Sequence, residues 1–281
     1  MLRGKAAWVW GRTVRELGPE KVVAIAKELG IKHLFVLVKS VTGDTFPERV
    51  FEVLPYAHRE GIEVHAWIVC FKDPTRENVD PTNHRYRGYL LGYIAYLVSQ
   101  EKDGEFIDGI HLDYIRFMSP SERNAVRSAY VTSFVEEVRG LLDKLHPCIK
   151  LSMATIAHDM SSQSAVIRSA LLYGQSYEDL APFVDLFVPM TYYLDLDVSP
   201  EQAARAARWI KDVVDTSVFA GVQLHPSENP RTIGRIPTVE EVAKQLEECE
   251  KLGLDGVSFF RFLYLYERIN ELGDVVKKFF A

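Results

Sequence analysis

The residues of this chain best suited to chemistry lie in the run D-G-I-H-L-D, residues 108–113. Side chains in a β-strand alternate between two faces, so Gly109, His111 and Asp113 share one face and the two aliphatic residues share the other. An unpaired carboxylate is costly to bury, and stability therefore does not explain an acid on the inner face at the end of a strand. We take Asp113 as the anchor of a candidate catalytic site.

The elements that must position Asp113 follow from the alternation of short apolar runs with helical patterns. Strict alternation predicts parallel strands joined by helical crossovers. The 281 residues also match the roughly 250 that a (β/α)8 barrel needs. We expect an α/β protein with a single (β/α)8 TIM barrel domain over residues 1–281. The predicted strands cover 6–10, 33–38, 64–69, 109–113, 150–154, 186–190, 218–222 and 256–260, and the predicted helices cover 18–30, 47–59, 88–99, 119–144, 177–183, 200–214, 239–252 and 266–280.

In such a barrel, inward residues at the carboxyl ends of the strands surround the active-site mouth. Here they are aromatic, amide and charged side chains, which suit a sugar because rings stack on pyranose faces and polar groups bind hydroxyls. His65 and His111 have an alternative role as core histidines. Lys39 and Arg261 could instead be ion-pair partners that keep Asp113 charged. The predicted substrate-binding residues are Trp10, Lys39, His65, Trp67, His111, Tyr192, Gln223 and Arg261.

The run D-G-I-H-L-D-Y-I-R-F, residues 108–117, resembles the fourth-strand motif of uncharacterised glycoside-hydrolase-like barrels. Residues 64–68, 80–83, 184–192 and 255–260 resemble further segments of the same families. The resemblance implies a TIM barrel that acts on a glycan, and it adds Asn83, Tyr114 and Arg116 to the residues expected to bind substrate.

Three departures separate the chain from the related chitinases, whose fourth strand carries D-G-x-D-x-D-x-E. Here His111 replaces an inner Asp and Ile115 stands at the position of the catalytic Glu. The sixth-strand M-x-Y-D pattern also ends in Tyr193. The sequence therefore does not support the substrate-assisted mechanism of chitinases.

Glycoside hydrolysis usually requires two carboxyl groups across the scissile bond. We expect Asp113 to be the ionised member, a nucleophile or base. For the second carboxylate, the acid, Glu228 is the first candidate, Asp195 the second and Asp159 the third. Each of these three also has a simpler explanation as a solvated loop acid.

The bulk properties of the chain exclude several classes of function. A net charge of −6 and a pI of about 5.8 argue against nucleic-acid binding, which requires a basic surface. The three cysteines form no C-x-x-C pair or disulfide framework. We expect no cofactor, no resident metal and no membrane span. A cytoplasmic location is expected because no leader precedes the first strand, although a chain trimmed from an extracellular protein would look the same.

Two other functions remain open from the sequence. One is a non-catalytic carbohydrate-binding barrel. The other is a metal-dependent hydrolase in which His111, Asp113 and His65 supply the ligands. The sequence does not indicate the oligomeric state.

Overall fold

The computed structural model describes residues 1–280, apart from the side chain of Asn124. Eight parallel strands form a closed barrel in which every strand pairs with its neighbours in sequence and β1 pairs with β8. The predicted TIM barrel is therefore confirmed. The strands are β1 (Gly4–Val9), β2 (Ile31–Lys39), β3 (Glu63–Val69), β4 (Gly109–Asp113), β5 (Lys150–Thr155), β6 (Leu186–Pro189), β7 (Ser217–Gln223) and β8 (Gly256–Phe260).

Helices cover the outside of the barrel. Two of them have no counterpart in the sequence prediction: α1, which directly follows β1, and α6, which lies in a segment expected to be irregular. The predicted last helix also begins earlier than expected, as the separate helix α10. The helices are α1 (Gly11–Leu17), α2 (Pro19–Glu28), α3 (Glu48–Arg59), α4 (His84–Val98), α5 (Asn124–Leu145), α6 (Gln163–Leu171), α7 (Tyr177–Leu180), α8 (Pro200–Lys211), α9 (Val239–Lys251), α10 (Phe262–Glu267) and α11 (Ile269–Lys278).

Local sequence explains where two of these helices begin. Ser199 caps α8 by accepting from the amide of Gln202, and Pro200 occupies the first turn. Thr238 and Glu241 form a capping box at the start of α9. In contrast, the predicted cap of the long helix at 119–122 is wrong, because α5 begins only at residue 124.

The apolar residues form two cores separated by the barrel wall. The larger core lies between strands and helices and contains the outward residues of each strand, such as Ile110 and Leu112 of β4. The smaller core fills the barrel and contains Trp8, Phe35 and Phe219. The alternation predicted for β4 is therefore confirmed, and it directs Asp113 away from the helices. None of the helices described in residues 1–280 carries a stretch long and apolar enough to cross a membrane.

Candidate active site

Asp113 is the last residue of β4, and its side chain is largely buried, with 7% of the residue exposed. One carboxylate oxygen accepts from Trp67 Nε1 at 3.1 Å, and the other accepts from the backbone amide of Tyr114 at 2.7 Å. Tyr114 adopts a left-handed backbone with φ of 50°. Sparsely populated backbone conformations of this kind cluster at active sites, and here the amide of the residue donates to the carboxylate.

Burial raises the pKa of Asp113 above its ordinary value. The Tyr114 amide, the Trp67 indole and the charges of Arg116 and Lys72 act in the opposite direction but do not outweigh desolvation. Asp113 therefore keeps its proton to a higher pH than an exposed aspartic acid. This is the opposite of the sequence-based expectation that neighbouring cations keep it ionised.

Asp195 lies in the loop after β6 and is held by donors from β7 and the loop that follows. Oδ1 accepts from Gln223 Nε2 at 3.0 Å and from the Glu228 amide at 2.8 Å, and Oδ2 lies 3.0 Å from His225 Nε2. Burial raises the pKa of Asp195, but the His225, Glu228 and Gln223 hydrogen bonds outweigh it, so the pKa is lowered overall. Asp195 is therefore the acid of this region that stays ionised most readily.

Tyr192 lies close to both of these acids. Burial, followed by the negative charges of Asp113 and Asp195, raises its pKa well above the ordinary value. Its ring stacks on Phe260 with a centroid distance of 5.5 Å and meets His225 edge-on, also at 5.5 Å. The phenol stays protonated and can donate a hydrogen bond at the mouth of the barrel.

A cation lies on an aromatic ring at the junction of β1 and β8. The guanidinium carbon of Arg261 is 3.3 Å from the centroid of the Trp10 ring, and Nη2 approaches the Tyr264 hydroxyl at 3.4 Å. Arg261 Nε is buried without a partner among the described residues. Arg261 therefore stacks on Trp10, and it does not contribute the ion pair with Asp113 that the sequence left open.

A second group of cations and rings lies beside Asp113. Lys72 Nζ is 4.9 Å and the Arg116 guanidinium 4.8 Å from the Tyr114 ring centroid, and Arg116 also lies 5.3 Å from Tyr173. Both charges lower the pKa of Asp113. The structure thus brings Asp113, Trp67, Tyr114 and Arg116 together, as the sequence predicted.

His111 points inward as its parity predicts, but it is fully buried below the mouth. Trp8 Nε1 donates to His111 Nε2 at 2.9 Å, so the proton of the neutral ring is on Nδ1, which lies 2.9 Å from Ser152 Oγ. Burial lowers the pKa of His111 well below its ordinary value. His111 is a core histidine with both nitrogens in use, which corrects its expected substrate-binding role.

His65 also requires correction as a substrate-binding residue. It is fully buried and packs edge-on against the ring of His33. His65 is the third residue of β3, near the amino end of the strand and far from the mouth. Within residues 1–280, the convergent group of potential metal ligands is His33, Glu63 and His65, not the set of His111, Asp113 and His65 that the sequence left open as an alternative.

Lys39 is fully buried and pairs with Asp73 at 3.2 Å, while also donating to the Val69 carbonyl at 3.2 Å. The register of β2 against β3 shifts between Leu37 and Lys39, so Lys39 lies opposite Ile68 and not on the inner face. This irregularity reverses the parity on which the prediction depended. Lys39 stabilises the loop after β3 and does not neutralise Asp113.

Asn83 and Glu228 also have roles other than those expected. The Asn83 side chain caps α4 by accepting from the amides of Arg85 and Tyr86, which leaves no role at the mouth for its carbonyl oxygen. Glu228 is exposed, and only its backbone amide contacts Asp195. Asp159, the third candidate carboxylate, is exposed and accepts hydrogen bonds from Ser161 in its own loop.

Two residues of the mouth were missed by the sequence interpretation: His225, which binds Asp195, and Phe260, which stacks on Tyr192. His225 lies two residues after the end of β7, and a histidine just after the carboxyl end of a barrel strand could have been predicted to lie at the mouth. Its Nδ1 is buried without a partner among the described residues. Phe260 ends β8 and points into the barrel, but in the sequence it looks like an ordinary apolar core residue.

No family model matches the chain, and no curated protein matches it by sequence. Its fold is nevertheless similar to that of several solved structures. The glycoside hydrolase domain of PgaB (BpsB) from Bordetella bronchiseptica matches with a TM-score of 0.71 at 13% identity, over 98% of this chain and 99% of that one.

Two other solved structures extend the comparison. A variant of a chitinase from Cycas revoluta in complex with (GlcNAc)4 matches with a TM-score of 0.69 at 13% identity, over 98% of this chain and 99% of that one. The spore cortex-lytic enzyme SleL of Bacillus cereus matches with a TM-score of 0.67 at 12% identity, over 99% of this chain and 75% of that one. At these identities, the similarity establishes the fold, which is one that glycoside hydrolases use.

Proposed function

We propose that this protein is a glycoside hydrolase that cleaves a glycosidic bond in an oligo- or polysaccharide, with Asp113 as general acid and Asp195 as nucleophile or base. The observation that carries the proposal is that the pKa values of these two acids shift in opposite directions, while both acids lie close enough to Tyr192 for their charges to raise its pKa. Two carboxyl groups whose environments separate their pKa values are the usual means of dividing acid and base roles at one pH.

The chemistry follows from these protonation states. Asp113, desolvated and protonated, gives its proton to the glycosidic oxygen as the bond breaks. Asp195, ionised and fixed by Gln223, His225 and the Glu228 amide, attacks the anomeric carbon or deprotonates a water molecule. This assignment exchanges the roles that the sequence alone favoured for Asp113 and its partner.

The aromatic residues of the mouth support a saccharide ligand. Tyr114 directly follows Asp113, the charges of both acids reach Tyr192, and Phe260 stacks on Tyr192. Trp10 directly follows the first strand and lies under Arg261. Aromatic rings of this kind stack on the apolar faces of sugars. Arg116 supplies charged donors for hydroxyl or anionic groups of the sugar.

The test is hydrolysis of a saccharide panel that includes N-acetylglucosamine oligomers, which the Cycas revoluta chitinase variant holds in its structure. We expect Asp113→Asn and Asp195→Asn each to lower kcat/KM by about 10²-fold or more, because each removes a proton-transfer or nucleophilic group. Asp159→Asn is the matched control, since it changes an exposed loop acid near the same end of the barrel. Undiminished turnover by Asp113→Asn would refute the assignment.

A second candidate is a carbohydrate-binding barrel without activity. The observation in its favour is Ile115, which occupies the chitinase Glu position and is fully buried. This alternative predicts that saccharides bind to the wild type, that Trp10→Ala weakens binding, and that no sugar on the panel is hydrolysed. Calorimetric titration beside the hydrolysis assay separates the two functions.

A further inference from the structure

We infer that the amino-terminal end of the barrel, opposite the proposed active site, holds a divalent transition-metal site of the Zn²⁺ class formed by His33, Glu63 and His65. One ligand atom from each residue lies within 4.8 Å of the others. His33 Nδ1 is 3.0 Å and His65 Nε2 is 3.4 Å from the same oxygen, Glu63 Oε2. This inference is independent of the proposed hydrolase activity.

The two distances to Glu63 Oε2, 3.0 Å and 3.4 Å, are close to the edge of a tetrahedral coordination shell. Zinc binds histidine nitrogen and carboxylate oxygen at about 2.0–2.1 Å in tetrahedral geometry, which places neighbouring ligand atoms about 3.4 Å apart. Two imidazoles and one carboxylate form a known zinc ligand set that leaves a fourth position open. The spacing in this cluster is therefore wide enough for an ion and too wide for a good hydrogen bond between Glu63 and His65.

The hydrogen-bonding of His33 indicates where its lone pair points. Its Nε2 lies 3.1 Å from the Arg3 carbonyl, which can only accept, so this nitrogen carries the proton. Nδ1 is the nitrogen that faces the Glu63 carboxylate, at 3.0 Å from Oε2. A cation held between these two atoms would be coordinated by both, and the bond to Arg3 would fix the ring as outer contacts do at other metal sites.

His65 provides the independent sign of a missing ligand. It is fully buried, yet neither ring nitrogen has a hydrogen-bond partner among the described residues. A Cβ added at Gly109 would lie 2.0 Å from His65 Nδ1, so glycine at that position admits the ring against β4 while Nε2 lies toward Glu63. An orphaned buried imidazole is costly, and a bound ion relieves that cost.

The two oxygens of the Glu63 carboxylate face different partners. Lys150 binds Oε1, whereas Oε2 faces both His33 and His65. Oε2 is therefore the oxygen available to an ion between the two rings.

Two of the three proposed ligands face a cleft at this end of the barrel. The cleft has a volume of about 430 Å³ and is lined by His33 and Glu63 together with Arg3, Asp185, Asp215 and Ser217. His65 is fully buried and is not among the lining residues. An ion would therefore enter from the side of His33 and Glu63.

The test is titration of chelator-stripped wild-type protein with Zn²⁺, with bound metal counted by mass spectrometry and affinity measured by calorimetry. We expect one equivalent per chain, and we expect His33→Gln and His65→Gln each to weaken binding at least tenfold. His58→Gln is the matched control, because His58 also contacts two carboxylates, Glu105 and Asp108, but through opposite ring nitrogens that do not converge. Wild-type affinity weaker than millimolar, or equal loss in the control, would overturn the inference.

Two further measurements test the metal site without His65→Gln, in case that variant does not fold. Lys150→Met should tighten Zn²⁺ binding, because it removes a positive charge from beside Glu63; weaker binding would count against the site. At a Zn²⁺ concentration 100 times Kd, the ratio of folded to unfolded wild-type protein should rise about 100-fold, and this gain should be lost in His33→Gln. An unchanged ratio in the wild type would also refute the site.

Discussion

The buried ion pair between Lys39 and Asp73 offers the sharpest test of how this barrel is built. Both side chains are fully shielded from solvent, with a nitrogen-to-oxygen distance of 3.2 Å. Lys39→Met keeps the length and apolar stem of the side chain but removes the charge. Breaking a buried pair by removing one partner costs about 3–5 kcal/mol, because the other charge remains buried and uncompensated.

The surroundings of Asp73 place the expected loss near the lower end of that range. Its carboxylate also accepts from the Thr75 amide at 3.1 Å and the Thr75 hydroxyl at 2.6 Å, and from the Tyr86 hydroxyl at 3.3 Å. The half-exposed Arg76 lies 3.6 Å away and supplies part of the lost countercharge. We therefore expect Lys39→Met to lower the free energy of unfolding by about 3 kcal/mol.

Urea denaturation at neutral pH measures this loss, with Lys72→Met as a control in the same loop. The Lys72 ammonium lies over the Tyr114 ring, so its replacement should change stability by no more than about 0.5 kcal/mol. Adding Asp73→Asn to Lys39→Met should restore at least half of the loss, because a neutral amide needs no countercharge. A loss below about 1 kcal/mol in Lys39→Met, or no recovery in the double variant, would refute the reasoning.

Three other variants test the interior and the two proposed catalytic acids. Trp8→Phe leaves the His111 Nε2 acceptor buried without its donor, and denaturation should show a loss of about 1–3 kcal/mol. Because the pKa of Asp113 is raised in the fold, wild-type stability relative to Asp113→Asn should fall as pH rises from about 3.9, the unfolded value, through the folded pKa. For Asp195, whose folded pKa is lowered, the sign reverses: the stability of wild type over Asp195→Asn should be present above about pH 3.9 and lost as pH falls further. Denaturation curves between pH 3 and pH 8 check both, and equal slopes for the two variants would contradict the assignment of acid and base.

The barrel could be predicted from the sequence because its signals are local. Each strand is a short apolar run, each helix carries its own amphipathic pattern, and eight such units close in only a few ways. Helix α1 was missed because Gly11–Leu17 follows β1 without a loop, and Trp10, at the N-cap position, makes no side-chain cap. The predicted start of α4 was too late because Asn83 was interpreted as a substrate-binding residue, whereas its side chain is the N-cap of this helix.

The sequence predicted which site residues point into the barrel, but not how far each one lies from the mouth. Parity correctly placed His111 and Asp113 on the inner face of β4, yet His111 lies among the side chains that fill the barrel and only Asp113 reaches the mouth region. The depth of a residue depends on the stagger of all eight strands, which no single strand encodes. The register shift at Lys39 is likewise a property of the pairing between β2 and β3. The donors around Asp195 come from β7 and its loop, far along the chain, so the pKa direction of that acid was not available from local sequence.

The position of Ile115 shows why acid and base roles are better assigned from the surroundings of each carboxyl group than from the chitinase fourth-strand motif. It lies in the core between strands and helices, fully buried, and so does not reach the mouth even though it occupies the chitinase Glu position. In the proposed hydrolase, the acid therefore has to be a carboxyl group whose pKa the fold raises, and desolvation raises the pKa of Asp113. Its counterpart must remain charged despite partial burial, which the Gln223, His225 and Glu228 hydrogen bonds achieve for Asp195. The division of acid and base roles proposed for this barrel thus follows from burial and from hydrogen-bond donors, with no requirement for the Glu of the chitinase fourth-strand motif.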